Sequence, residues 1–290
     1  MWKSISQTLA EQFGAYYNIK DKEKIHTGEV HEAWLISDGV QPVFVKMDEK
    51  SYRSMFRSEA DQLQLLARTK TVPVPQVYGI GCSQNHSFIL LEALPLAPIT
   101  DAGMGEFGVK LAKLHAQHTS ESFGLDFDTW LGPLYQPNDW KTNWATFFSD
   151  QRIGWQLQIC KEKGIEFGDI PSIVKMAANR LAKHKPQPSL LHGNLWIENC
   201  GEVNGEIYIY DPACYWGDRE CDLAFTEIFE PFPQTFYDKY NETYPLDMEG
   251  YRERKPLYQL YYLINFSHRF KGHYITLTQK LLNFLMSEEK

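Results

Sequence analysis

Cysteine is scarce and badly arranged for cross-linking. The 290 residues hold five, Cys82, Cys160, Cys200, Cys214 and Cys221. The number is odd and no C-x-x-C pair occurs, so neither a disulfide framework nor a zinc ribbon is indicated, and a reducing cytoplasm fits best. Long apolar runs are missing as well. The greasiest stretch, Ser87 to Ile99, is interrupted by Glu92, Pro95 and Pro98, whereas a membrane span needs about 18 uninterrupted apolar residues. The amino-terminal stretch carries Glu11 among Ile5, Leu9 and Phe13 at helical spacing, unlike the apolar centre of a signal peptide. Positive charge is in deficit: the formal charge is −8, which opposes nonspecific attraction to nucleic acid or anionic lipid, so neither partner is expected. Internal repeats and low-complexity tracts are absent.

Aromatic residues are plentiful. With 8 Trp, 16 Tyr and 17 Phe the chain has the composition of a globular protein with a ring-rich interior. Its length is about two ordinary domains' worth at roughly 150 residues each. After the first helix, Ile25 to Met47 mixes short β-type runs with Gly28 and Gly39 and ends in Val43-Phe44-Val45-Lys46-Met47, which reads as a small antiparallel sheet. A helix is expected over Met55 to Ala67, stopping before Pro73 and Pro75, and a strand over Ser87 to Leu91. The cluster Leu94-Pro95-Leu96-Ala97-Pro98 breaks regular structure and marks a hinge. The expected organisation is therefore a β-rich lobe over residues 1–94 and a mainly helical lobe over 95–290. In the latter, helical patterns run through Met104 to Leu114, Trp140 to Leu157, Ile173 to Leu181 and Leu257 to Leu285.

One β island interrupts the helices. Asn204-Gly205, between Val203 and Ile207-Tyr208-Ile209-Tyr210-Asp211, is a strong signal for a hairpin with a type I′ turn. Pairing Val203 with Glu206 puts Asn199 opposite Tyr210, one residue before Asp211. An amide oxygen and a carboxylate so placed suit Mg²⁺, which is held by one or two protein ligands together with substrate phosphates. Pro212 is expected to push Asp211 into an extended conformation. The bland alternative is a pair of ordinary turn residues. Glu59, four residues from both Met55 and Leu63, projects from the apolar stripe of its helix, where an unpaired carboxylate is costly and needs a cation. Lys46 is the candidate. A strand Lys paired with a helix Glu is how protein kinases hold nucleotide phosphates; taken alone, Lys46 also reads as an edge-strand residue that keeps the sheet soluble.

From Gly28 to about Gly272 the chain resembles the fructosamine (ketosamine) kinase family, within the kinase-like small-molecule phosphotransferases that include aminoglycoside and choline kinases. The resemblance rests on Val45-Lys46, Phe56-Arg57-Ser58-Glu59-Ala60, Leu111-Ala112-Lys113-Leu114-His115, Pro137-Asn138-Asp139-Trp140, Trp144-Ala145-Thr146-Phe147-Phe148, His192-Gly193-Asn194-Leu195-Trp196, Asp211-Pro212-Ala213 and Arg219-Glu220-Cys221-Asp222-Leu223-Ala224. It implies an α+β, bilobal protein-kinase-like fold: a small antiparallel sheet with one helix, and a larger helical lobe carrying the catalytic hairpin. It also implies an ATP- and Mg²⁺-dependent enzyme that phosphorylates the 3-hydroxyl of small or protein-linked ketosamines, leading to deglycation. In that family Lys46 would contact ATP phosphates and Glu59 would orient it. Asn199 and Asp211 would hold Mg²⁺. Amides near Thr27 and Gly28 would cover the phosphates, backbone from Glu92 to Leu94 would meet adenine, and Trp196 would wall the sugar site, unless it is a plain core Trp.

Three positions depart from the family pattern: Asn194, Glu198, where the family has Gly, and Asp218, where it has His. Where the family has His-Gly-Asp-Leu-Trp, with the Asp accepting the proton of the attacking hydroxyl, this chain has Asn194. An amide is isosteric with a carboxylate but is no base near neutral pH. Glu198 and Asp218 are carboxylates nearby in sequence that either substitute for it or are ordinary solvent-facing charges. Three outcomes stay open: a kinase of reduced activity, a nucleotide- or sugar-binding pseudokinase, or a kinase for another small alcohol such as an aminoglycoside or a choline-like compound. His115 and His118, three apart on a helix, have no evident third ligand and read as packing residues. Asp222 reads as a buried brace for the catalytic loop.

Overall fold

A computed structural model describes residues 1–25 and 31–287. The chain divides into two compact units, Met1–Gly103 with Asn199–Pro212, and Met104–Glu198 with Ala213–Lys290. The boundary expected after residue 94 thus lies inside the first unit, and the hairpin expected in the helical lobe groups with the first unit instead.

The first unit is built on a five-stranded antiparallel sheet, β1 (Asp21–Ile25), β2 (Glu32–Ser37), β3 (Pro42–Glu49), β4 (Val77–Cys82) and β5 (His86–Glu92), in the order β1-β2-β3-β5-β4. Alternation along β3 decides what each face does. Val43, Val45 and Met47 are buried with Phe88 and Leu90 beneath Ile5 and Leu9 of α1 (Trp2–Phe13). The opposite parity, Phe44 with Ile89 and Leu91, packs against Phe56, Ala60 and Leu63 of α2 (Arg53–Thr69). Each such aliphatic or aromatic side chain contributes about 1.5–3 kcal/mol on full burial, so a one-residue slip of β3 would be strongly opposed. Lys46 has the parity of Phe44 and therefore faces α2.

Strand β4 was not among the expected elements. Gly79 and Gly81 break its β pattern, and both are places of close approach: a Cβ on Gly79 would come within 2.8 Å of the Thr8 methyl, and one on Gly81 within 2.5 Å of the Phe88 ring. The hairpin Cys200–Val203 and Glu206–Ile209 has the expected register, Val203 opposite Glu206, with positive φ at both Asn204 and Gly205. It is tied to the first unit by Ile209 N donating to Pro73 O at 3.1 Å and Ala97 N donating to Glu202 O at 2.8 Å. The Glu202 carboxylate also accepts from the Thr100 amide and hydroxyl at 2.7 and 2.9 Å. The Pro-rich segment read as a hinge is thus where the hairpin docks.

The second unit is mainly helical. The expected run from 257 to 285 is two helices, Met248–Phe270 and His273–Ser287, separated by Lys271 and Gly272, both at positive φ. Tyr258, Tyr261, Tyr262 and Phe266 are buried on the first of them. The short strand Ser189–Leu191 pairs with Tyr215–Gly217 and leads into the segment containing Asn194. Among the described residues no helix is long and apolar enough to cross a membrane.

Candidate active site

In the first unit three of the expected residues meet. Lys46 Nζ donates to Glu59 Oε1 at 2.7 Å and forms a second ion pair with the Asp211 carboxylate. Register and helix periodicity produce the first pair: Lys46 stands on the α2 face of β3, and Glu59 lies between Phe56 and Leu63 on the helix stripe that covers that face. The lysine and Glu59 side chains are 13% and 11% exposed, whereas Asp211 is 43% exposed, so Asp211 is the member open to a ligand. Burial opposes charge on Lys46, but Asp211 and Glu59 outweigh it and raise its pKa above the ordinary lysine value. Burial raises the pKa of Glu59, and Asp211 adds to this against the pull of Lys46. Two carboxylates share one ammonium, leaving one negative charge in excess when all three groups are ionised.

Asp211 is not extended. Its φ is +56°, in the left-handed region. Proline disfavours the right-handed helical region for the residue before it, and Asp is among the few residues that tolerate the left-handed one, at about 1–2 kcal/mol. The resulting bend ends the strand where the carboxylate meets Lys46, and the ion pair offsets the backbone cost. Asn199 is buried, and its carbonyl accepts from Tyr210 N at 3.1 Å, as the register predicts. The hairpin therefore sets an amide side chain opposite the residue preceding Asp211. A carboxylate and an amide on one hairpin are the hard oxygen types that fit a magnesium ion keeping part of its water shell.

Glu92 ends β5, opposite Val43, and its backbone N donates to Gln76 O at 2.8 Å. Leu94 follows, its carbonyl accepting from Leu96 N at 2.9 Å. Thr27 and Gly28 lie outside the described residues.

In the second unit the segment around Asn194 is held by backbone. His192 N and Gly193 N each donate to the Asp222 carboxylate at 2.8 Å, and Ala213 N donates to His192 O at 2.8 Å. Gly193 has φ +75°, and a Cβ there would lie 2.0 Å from Ala213 O, so the loop demands glycine. His115, fully buried, joins Asp222 at 3.2 Å and the Tyr240 hydroxyl at 2.8 Å. Burial lowers its pKa, as for a neutral packed ring. Asn194 is partly exposed, its N donating to His192 Nδ1 at 3.3 Å. Trp196 is partly exposed too, with its ring 6.2 Å from Phe225, 5.8 Å from Phe229 and 5.8 Å from Phe266.

Asp218 is not solvent-facing. It is 1% exposed, and accepts from Glu220 N at 3.1 Å and the Tyr258 hydroxyl at 2.6 Å while pairing with His184 at 2.7 Å. Burial alone would raise its pKa; the His184 and Tyr258 contacts outweigh that and lower it. Glu198 is exposed on the short turn Ile197–Asn199. His184, Asp218 and Glu220 lie close enough for a metal. Arg254, however, binds both Glu220 oxygens at 2.7 and 2.8 Å, so that cluster is satisfied by protein.

The sequence reading missed the pair His31–Asp48, whose Nδ1 to Oδ2 distance is 2.7 Å. The signal was available: Asp48 has the same parity on β3 as Lys46.

The sequence profile of the fructosamine kinase family matches residues 1–288. The chain belongs to this family. A "Probable ketoamine kinase" of Pasteurella multocida (strain Pm70) is 67% identical over 288 residues, covering 99% of this chain and all of the relative. A crystal structure of a protein from Haemophilus somnus 129PT, provisionally named fructosamine-3-kinase, has a TM-score of 0.96 and 63% identity, covering 99% of this chain and 98% of its own. As a family member the chain is a kinase, a phosphotransferase with an alcohol acceptor. It also shares the protein-kinase-like fold of aminoglycoside phosphotransferases. The enzyme APH(4)-Ia in ternary complex with AMP-PNP and hygromycin B has a TM-score of 0.58 at 18% identity, with 99% of each chain covered, a likeness of fold alone.

Proposed function

We propose that this fructosamine kinase transfers the γ-phosphoryl group of ATP to the 3-hydroxyl of a ketosamine, free or attached to a protein amine, and so serves deglycation. The observation that carries this is the meeting of Lys46, Glu59 and Asp211. Lys46 contacts the ATP phosphates, and Glu59 keeps its ammonium charged and aimed. Asp211 and Asn199 hold magnesium, which when bound neutralises charge on the transferring group. Thr27 and Gly28 cover the phosphates, the backbone of Glu92 to Leu94 meets adenine, and Trp196 forms one wall of the sugar site. The net charge of −8 favours a substrate whose amine is cationic.

Asn194 accepts a hydrogen bond from the acceptor hydroxyl and orients it but cannot take its proton. Loss of a general base typically costs about 10²- to 10⁴-fold, while phosphoryl transfer through a loose transition state relies mainly on positioning and electrostatics. Turnover therefore survives at a reduced rate. Asp218 is poorly suited to replace the base, because His184, Tyr258 and the Glu220 amide already occupy its oxygens. Asn194 also favours a second reading, a pseudokinase that binds nucleotide without turnover. Incubating the pure protein with ATP, magnesium and a fructosamine or ribulosamine decides between them. Sugar phosphate and ADP formed in equal amounts support the kinase; no transfer at high enzyme concentration, with nucleotide still bound, supports the pseudokinase. A panel that includes aminoglycosides and choline tests the acceptor class.

A further inference from the structure

We propose that His31 is a positioning residue for the nucleotide-phosphate site, acting through Asp48, so that the pair sets affinity for the polyphosphate rather than for adenosine. This rests on the kinase reading above and assigns it a new residue. Strand β2 pairs with β3 through Glu32 opposite Met47 and Ala33 opposite Lys46. Continuing that register by one residue puts His31 opposite Asp48, and their side chains meet at 2.7 Å. His31 and Ala33, like Asp48 and Lys46, share the face of the sheet that α2 covers.

The imidazole is 9% exposed and wedged against α2 and the turn before it: its centroid lies 4.9 Å from the Phe56 ring and 5.4 Å from the Tyr52 ring. Phe56 is three residues before Glu59 on the same helix. One side chain thus bridges the strand that carries Lys46 and the helix that carries Glu59. Burial holds its pKa below the ordinary histidine value against the pull of Asp48, and the fields of Lys46 and Asp211 both reach it. A carboxylate only accepts, so Nδ1 carries the proton that joins the pair.

The test uses calorimetric titration with magnesium-ATP and, separately, with adenosine, on the wild type and on His31→Ala, His31→Asn, Asp48→Ala and the double alanine variant. His31→Ala and Asp48→Ala should each weaken magnesium-ATP binding about tenfold, with adenosine affinity unchanged. The double variant should lose no more than either single one, because both remove one interaction. His31→Asn, whose side-chain amide can reach Asp48, should recover most of the loss. Undiminished magnesium-ATP binding by His31→Ala, equal losses for ATP and adenosine, or losses that multiply in the double variant would overturn the proposal. A wild-type chain that takes up neither ligand overturns the kinase reading itself, a distinguishable result.

Discussion

In the first unit two carboxylates, Glu59 and Asp211, pair with a single ammonium, and Asp211 is partly exposed. In the second unit Asp218, Glu220 and Asp222 are nearly inaccessible, and every oxygen among them accepts from a named donor: backbone amides, His115, His184, Tyr258 or Arg254. Buried carboxylates are tolerated only when hydrogen-bonded or paired, and a set satisfied by protein has nothing left for a ligand. A partly exposed carboxylate such as Asp211 keeps an edge that solvent reaches. Burial therefore separates the enclosed carboxylates of the second unit from Asp211 more surely than their position in sequence does.

That contrast breaks most visibly at Asp222. Asp222→Ala leaves two buried backbone amides unpaired and should cost about 3–5 kcal/mol, read as a large drop in thermal midpoint or loss of soluble protein. A variant that melts like the wild type would show that the loop is held by something else. Asp211→Asn should do the reverse, lowering phosphoryl transfer by about 10²- to 10³-fold, as removal of one charge-stabilising group does, while the melting temperature falls far less than in Asp222→Ala, because Asp211 is partly exposed and Asn also tolerates the left-handed backbone. An Asp211→Asn protein that loses stability but keeps activity would exchange the roles assigned to the two regions.

Glu220 gives the comparison a pH dependence. Burial and the neighbouring Asp218 push its carboxyl up to about 7, against the pull of Arg254. At Glu220 the folded state then binds more protons than the unfolded state between the ordinary glutamate value of 4.5 and about 7. The contribution of Glu220 to stability therefore falls as pH rises through that window. Denaturant titrations from pH 4.5 to 7.5 should show that fall in the wild type and a flatter profile in Glu220→Gln; parallel profiles would remove Glu220 from the account. The smallest effect expected is a gain. Asn194→Asp restores a base and should raise the transfer rate about 10²-fold, and an unchanged rate would mean that the proton already has another route or that the site only binds.

Much of this was legible in the residues. Asn204-Gly205 fixed the hairpin register because a type I′ turn admits only one pairing. The parity of Lys46 on β3 and the place of Glu59 on its helix stripe forecast their meeting, since both periods are rigid. Tertiary effects were not legible. The return of 199–212 to the first unit depends on contacts with Pro73, Ala97 and Thr100, which are remote in sequence. Strand β4 is masked by glycines whose purpose is close approach. The left-handed Asp211 runs against its local preference and persists beside Lys46. Asp218 reads as a surface charge in sequence because its partners, His184 and Tyr258, lie 34 and 40 residues away.

The central claim is that Lys46, Glu59 and Asp211 hold a nucleotide polyphosphate together with a divalent ion. Calorimetry of ATP binding with and without magnesium, on the wild type and Asp211→Asn, tests it most directly. The wild type should bind ATP at least tenfold more tightly with magnesium than without it, and Asp211→Asn should lose that difference. Equal affinity in all four titrations, or no uptake by the wild type, would contradict it.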